Sequence, residues 1–190
     1  ISPTGRLTDR FTPHCEGQVI LDGGEGYLGE SFVDFPVLLD ELRTRPMAHE
    51  NMLEWYEKHS GLKGRYCVLE LLDGAGPGVV RGRTTYRQTG DFANLLNAQY
   101  QYSPYLFEAL LQLTGFYCVA MKMPEQRSII PMKIGEMRFC RKCREGEKII
   151  LEARMRVQNE QGLTWDARGL DDQGRTIMQV SNLRMHWVSD

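Results

Sequence analysis

The chain has 190 residues, 42% of them hydrophobic and 25% charged, with a formal net charge of −2. That suits one domain, or one domain with an extension, far from disordered or collagen-like compositions, with no basic excess to attract a nucleic-acid backbone. No apolar run approaches the roughly 20 residues that span a bilayer, so neither nucleic acid nor membrane is expected as a partner.

The opening Ile1-Ser2-Pro3-Thr4-Gly5 has neither the basic nor the apolar region of a secretory signal and lacks an initiator Met, which reads as a piece of something longer. Cysteines stand at 15, 67, 118, 140 and 143. Their odd number argues for a reducing cytoplasm over a secreted disulfide scaffold. Cys140-Arg141-Lys142-Cys143 has the spacing of half a zinc site, but no second pair completes it, so no metal and no cofactor is expected.

Residues 1–50 are rich in loop signals, among them Thr12-Pro13, Asp22-Gly23-Gly24, Pro36 and Pro46. Short strands are expected at Val19–Leu21 and Phe32–Phe35, and about two helical turns at Val37–Arg43. His49–His59 reads as a helix with Met52, Leu53 and Tyr56 on one face, stopped by Gly61 and Gly64. Arg65–Leu72 reads as a strand, Asp73–Gly78 as a Gly-rich turn, and Val79–Tyr86 as the returning strand. Neither a Lys-Ser/Thr pair nor a helix follows the glycines, so they are not a nucleotide loop.

Pro104 to Met121 is the strongest helix, with Ser103 as N-cap and Pro104 at the first helical position. Leu106, Ala109, Leu110, Leu113, Tyr117 and Ala120 recur at three- and four-residue spacing, and Leu111, Gly115, Phe116 and Val119 leave little polar surface elsewhere. Such a helix is buried on most sides. Only strands follow: Ile129–Ile134, Arg138–Cys140, Lys148–Gln158, Leu163–Asp171 and Thr176–Trp187. The alternation along Ile150–Val157 predicts a half-exposed antiparallel strand. A long buried helix followed by antiparallel strands is an α+β pattern in which a curved sheet wraps a central helix, the hotdog architecture. Residues 49–190 are read as this domain, and 1–48 as an extension or the remnant of a first hotdog.

Within the buried helix Glu108 and Gln112 are conspicuous. They lie four apart and share a face, and a carboxylate is seldom buried unless paired or put to work. On the residues alone, Glu108 is either catalytic or bound to a neighbouring backbone group at the helix edge.

Ser103-Pro104-Tyr105-Leu106-Phe107-Glu108-Ala109-Leu110-Leu111-Gln112 resembles the motif of the second hotdog in polyketide-synthase dehydratases, where His-Pro precedes an acid and Gln or His stands four residues beyond it. Glu108–Gly115 is also similar to the helix of stand-alone 3-hydroxyacyl-carrier-protein dehydratases. Met52–Leu72, Ile130–Arg138 and Trp165–Arg175 resemble flanking segments of the family in the right order. The resemblance implies elimination of water from a 3-hydroxyacyl thioester, delivered on acyl carrier protein or CoA, with Glu108 as the acid and Gln112 orienting it. It implies pairing of hotdogs as well, as a homodimer or with another such domain.

The family's base is a His of an HxxxGxxxxP motif in the first hotdog. The nearest match begins at His14, with Gln18 at the Gly position and Gly23 at the Pro position. Ser103 replaces the family's His before Pro, and Glu108 its usual Asp. Three functions therefore stand open: a dehydratase, a degenerate dehydratase-like domain that holds or packs without reacting, and a hotdog thioesterase with a helix carboxylate.

Overall fold

The helix expected to be buried is α2, Pro104–Ala120, and Leu106, Ala109, Leu110, Leu113, Phe116 and Tyr117 are all lost to solvent on it. The computed structural model of the chain describes residues 36–59, 67–87, 104–123 and 127–189, all within one unit spanning 32–190. Around α2 run β1 (Met47–Ala48), β2 (Leu71–Gly76), β3 (Val79–Thr85), β4 (Arg127–Lys133), β5 (Glu136–Phe139), β6 (Lys148–Asn159), β7 (Gly162–Leu170) and β8 (Thr176–Ser189). They form one antiparallel sheet in the order β1-β2-β3-β6-β7-β8-β4, with β5 also paired to β8. A long α2 crossing between β3 and β4, with three strands interposed between them in the sheet, is the hotdog arrangement read from the sequence.

Alternation along the strands builds the core. Ile149, Leu151 and Ala153 of β6 and Trp165 and Ala167 of β7 join one apolar cluster with Leu106, Leu110 and Leu113 of α2. The Tyr117 ring meets Trp165 edge-on at 4.8 Å, an arrangement favoured by the ring quadrupoles. The opposite face of β6 is partly open, as the alternation predicts, with Ile150 and Arg154 half-buried and Arg156 exposed, but Glu152 departs from the pattern. Glu152 is 4% exposed because Arg168, its register partner on β7, lays its Nη2 2.9 Å from the carboxylate. Pairing of this kind makes burial of such charges tolerable.

Helix α1 spans His49–His59 as expected. It buries Met52 and Tyr56, and the Tyr56 and Trp55 rings pack edge-on against Phe116 of α2 at 4.9 and 5.6 Å.

Three expectations need correction. Asp73–Gly76 is strand, and the turn shrinks to Pro77-Gly78. The glycines serve a crossing chain: a Cβ on Gly76 would lie 2.0 Å from the Glu41 carbonyl oxygen, and Arg43 and Thr44 donate their N–H groups to the Ala75 carbonyl. The crossing segment is not two helical turns but a single 3-10 turn, Leu39–Glu41. Longer-range ties hold it: Arg154 reaches the Glu41 carboxylate and the Pro36 carbonyl, and Ala75 N–H donates to Thr44 Oγ1. The strand read at Arg65–Leu72 begins only at Leu71; the described residues before it, Cys67–Glu70, run outside the regular strand. The expected strands at Val19–Leu21 and Phe32–Phe35, and the Ser103 cap, lie outside the described residues. Among the described residues no helix is long and apolar enough to cross a membrane.

Candidate active site

Glu108, Gln112 and Phe116 follow one another at four-residue steps, so a single ridge of α2 carries all three side chains. Phe116 is covered by α1. Gln112 is buried, and Glu108 at the helix's first turns is half-buried. Glu108 therefore stands at the margin of the core, desolvated on one side and reachable on the other.

The Gln112 amide has one orientation consistent with its partners. Its Oε1 accepts from the backbone N–H groups of Val68 at 2.9 Å and Leu69 at 3.1 Å, so its Nε2 points to Glu108 and donates to Oε1 at 2.9 Å. A donor on Oε1 leaves Oε2 as the oxygen that carries a proton when Glu108 is an acid. The sequence spacing brought these two residues together, and the geometry adds the second half of Gln112's work, which is to bind the segment ahead of β2.

That segment is held by side chains where a strand partner would otherwise serve. Val68 C=O accepts the buried Thr84 hydroxyl at 2.6 Å and the Tyr105 hydroxyl at 3.4 Å. Leu69 C=O is met by His49 Nδ1 at 2.8 Å, and since a carbonyl only accepts, Nδ1 carries the proton. His49, the first residue of α1, closes this network. The signal available beforehand was only a polar residue at the start of an amphipathic helix.

The Tyr56 hydroxyl, which feels the Glu108 carboxyl, and the Cys67 thiol beside Tyr56 stay neutral. Burial pushes the Tyr56 hydroxyl far above its ordinary range, with the neighbouring Cys67 and Glu108 adding to the shift. Burial also pushes the Cys67 thiol up to about 11, which makes it a poor nucleophile near neutral pH.

No described histidine meets Glu108. His49 is committed to Leu69, His59 stacks on Trp55 at 5.0 Å, and His186 pairs across β8 with Ile130 of β4. His14, the nearest match to the family's base, lies outside the described residues. Cys140 and Cys143 are free thiols at the end of β5, and no group of His, Cys, Asp or Glu among the described residues is arranged to hold a metal ion.

Residues 35–190 match the family model of the polyketide synthase dehydratase N-terminal domain. The sequence resemblance on α2 is to the second hotdog of such enzymes, whereas this family is described by the N-terminal domain. Among solved structures, the chain is similar to the dehydratase domain from the CurF module of curacin polyketide synthase, with TM-score 0.61 and 17% identity over 78% of this chain and 50% of that one. It is similar to the dehydratase domain of RzxB from Pseudomonas fluorescens, at 0.59 and 15% over 75% and 50%. A trans-AT polyketide synthase dehydratase domain from Brevibacillus brevis gives 0.62 and 11% over 80% and 51%. This chain thus spans about half the length of these structures, and at such identities the likeness is one of fold. No curated protein matches.

Proposed function

The chain belongs to the polyketide synthase dehydratase N-terminal domain family, and we propose that it supplies the acid half of a site that removes water from 3-hydroxyacyl thioesters. The observation that carries this reading is the Gln112-bound carboxyl of Glu108 at the margin of the core. In the proposed reaction a base takes the proton from C2, the C2–C3 double bond forms, and the C3–O bond breaks. Glu108 Oε2 gives its proton to the departing hydroxyl, which leaves as water. Gln112 keeps Oε1 occupied, so the proton is presented from one oxygen only.

The base is a histidine from outside the described residues. We assign it to His14, where the sequence comes nearest the family's first-hotdog motif. The substrate is an acyl group on a carrier protein or CoA. The domain pairs with a second hotdog along β4, which ends the sheet order and exposes Ile130 and Met132, with Ile134 exposed just beyond it. Pro131 in this strand has no N–H to offer, so those apolar side chains carry the contact more than backbone pairing does.

Dehydration kinetics of Glu108→Gln and Glu108→Asp test the acid. Glu108→Gln should lose at least about 10²-fold in kcat, the usual worth of a positioned acid. Glu108→Asp, which keeps a proton one methylene further away, should retain part of the rate. An undiminished rate in Glu108→Gln would remove the carboxyl from the mechanism.

A further inference from the structure

Every described glycine but one has a visible reason to lack a side chain. Five have positive φ, and at Gly76, Gly82, Gly135 and Gly169 a Cβ would lie 3.2 Å or closer to a neighbouring atom. Gly115 is the exception. It sits inside α2, where glycine weakens a helix relative to alanine, yet a Cβ on it would meet no described atom within 4 Å. Nothing in the described fold requires a glycine there, so its reason lies in something that passes over it.

The neighbours of Gly115 indicate what that is. Glu108, Leu111, Gly115, Cys118 and Val119 are half-exposed, while the other residues from Ala109 to Tyr117 are buried. Their spacing puts all five on one stripe along α2, half-open among the described residues. Glu108 is the only charged residue of the helix, and beyond it the stripe is apolar. Burial holds the Cys118 thiol up at about 11, so it too stays neutral.

We propose that Gly115 is a specificity-determining residue: the recess it leaves in this stripe takes the hydrocarbon tail of the acyl group whose 3-hydroxyl meets Glu108. The substrate class is then a saturated, apolar acyl chain, not one that carries oxygen along its length. This deepens the reading of Glu108 as the acid and rests on it. Gly115 lies seven residues beyond Glu108, which at about 1.5 Å per residue is about 10 Å, the span of roughly eight methylenes. A dodecanoyl tail therefore crosses the glycine, with Leu111 before it and Val119 after it.

Calorimetric titration of the full chain with S-alkyl phosphopantetheine thioethers tests this without turnover. From butyl through octyl to dodecyl, each methylene should tighten binding by about twofold, half the free energy of complete burial. In Gly115→Leu the gain should end near octyl, leaving the dodecyl ligand on the order of tenfold weaker than in the unsubstituted chain. Gly115→Ala should fall between the two, and it carries the test should Gly115→Leu not fold. Both substitutions favour the helix, so a thermal midpoint at or above that of the unsubstituted chain separates lost binding from lost folding. A chain of dodecyl length interrupted by ether oxygens should bind no better than butyl. Affinity that ignores chain length, or a dodecyl ligand held equally with and without Gly115→Leu, would overturn the proposal. So would a Gly115→Leu variant that loses self-association but keeps its length preference, which would assign the stripe to a second copy of the chain. Binding as described with no dehydration of a 3-hydroxyacyl thioester would sink the acid reading and leave the tail site standing. Dehydration at one rate for short and long tails would do the reverse.

Discussion

Gln112 satisfies two buried backbone donors and one carboxyl at once, so its loss has two separable costs. Gln112→Leu should destabilise the fold by about 2–4 kcal/mol, since two N–H groups are stranded away from water, and a denaturant titration reads this directly. Catalysis should fall further than stability explains, because Glu108 is then free to rotate. The Glu108/Gln112 pair was legible from its four-residue spacing on an otherwise apolar helix. The Thr84 bond to the Val68 carbonyl was not, since it joins a side chain to a backbone group far away in the chain. His49 was likewise invisible: nothing in its neighbours foretells a bond to a carbonyl 20 positions away.

Among the elements, those with strong periodicity came out of the sequence almost intact: α1, α2 and the strands from β4 to β8 sit within a residue or two of expectation. The failures cluster at Leu39–Glu41 and Asp73–Gly76, where local preference lost to tertiary contact. Glycines usually signal a turn, but Gly76 is glycine because another stretch of chain crosses it. Gly76→Ala should accordingly displace the 36–44 segment: a Cβ 2.0 Å from the Glu41 carbonyl cannot be accommodated in place. Faster hydrogen exchange at Arg43 and Thr44, whose N–H groups lose Ala75, would register it; unchanged protection would refute the account of this crossing.

The turn between β7 and β8 offers a pH test. Burial of Asp171 favours its neutral form, but N–H and guanidinium donors from Arg175, the Arg141 guanidinium and Gln173 N–H outweigh this and hold its pKa down to about 2. A depressed carboxyl contributes stability above its unfolded value, near 4, and loses it as pH falls to about 2. Asp171→Asn should therefore flatten the decline in stability between about pH 4 and pH 2, followed by circular dichroism in a denaturant series. An equally steep decline in the variant would mean that Asp171 is not part of the acid transition.

For the molecule as a whole, length is the governing fact. The solved dehydratase domains are about twice as long as the part this chain matches, and β4 ends the sheet order with apolar side chains exposed. Ile130→Lys together with Met132→Lys should convert a dimer into a monomer in sedimentation with the fold unchanged. A monomer at every concentration in the unsubstituted chain would instead assign the β4 contact to a different hotdog domain. The source of the base was the least legible feature, because the first-hotdog motif around His14 is kept at one of three positions only.

The most direct measurement incubates the purified chain with a 3-hydroxyacyl thioester, and separately with its 2-enoyl counterpart, and follows both by mass spectrometry. The account predicts their interconversion by loss and gain of water, with the thioester intact and the reaction abolished in Glu108→Gln. Release of free acid and thiol, or two thioesters left unchanged, would contradict it.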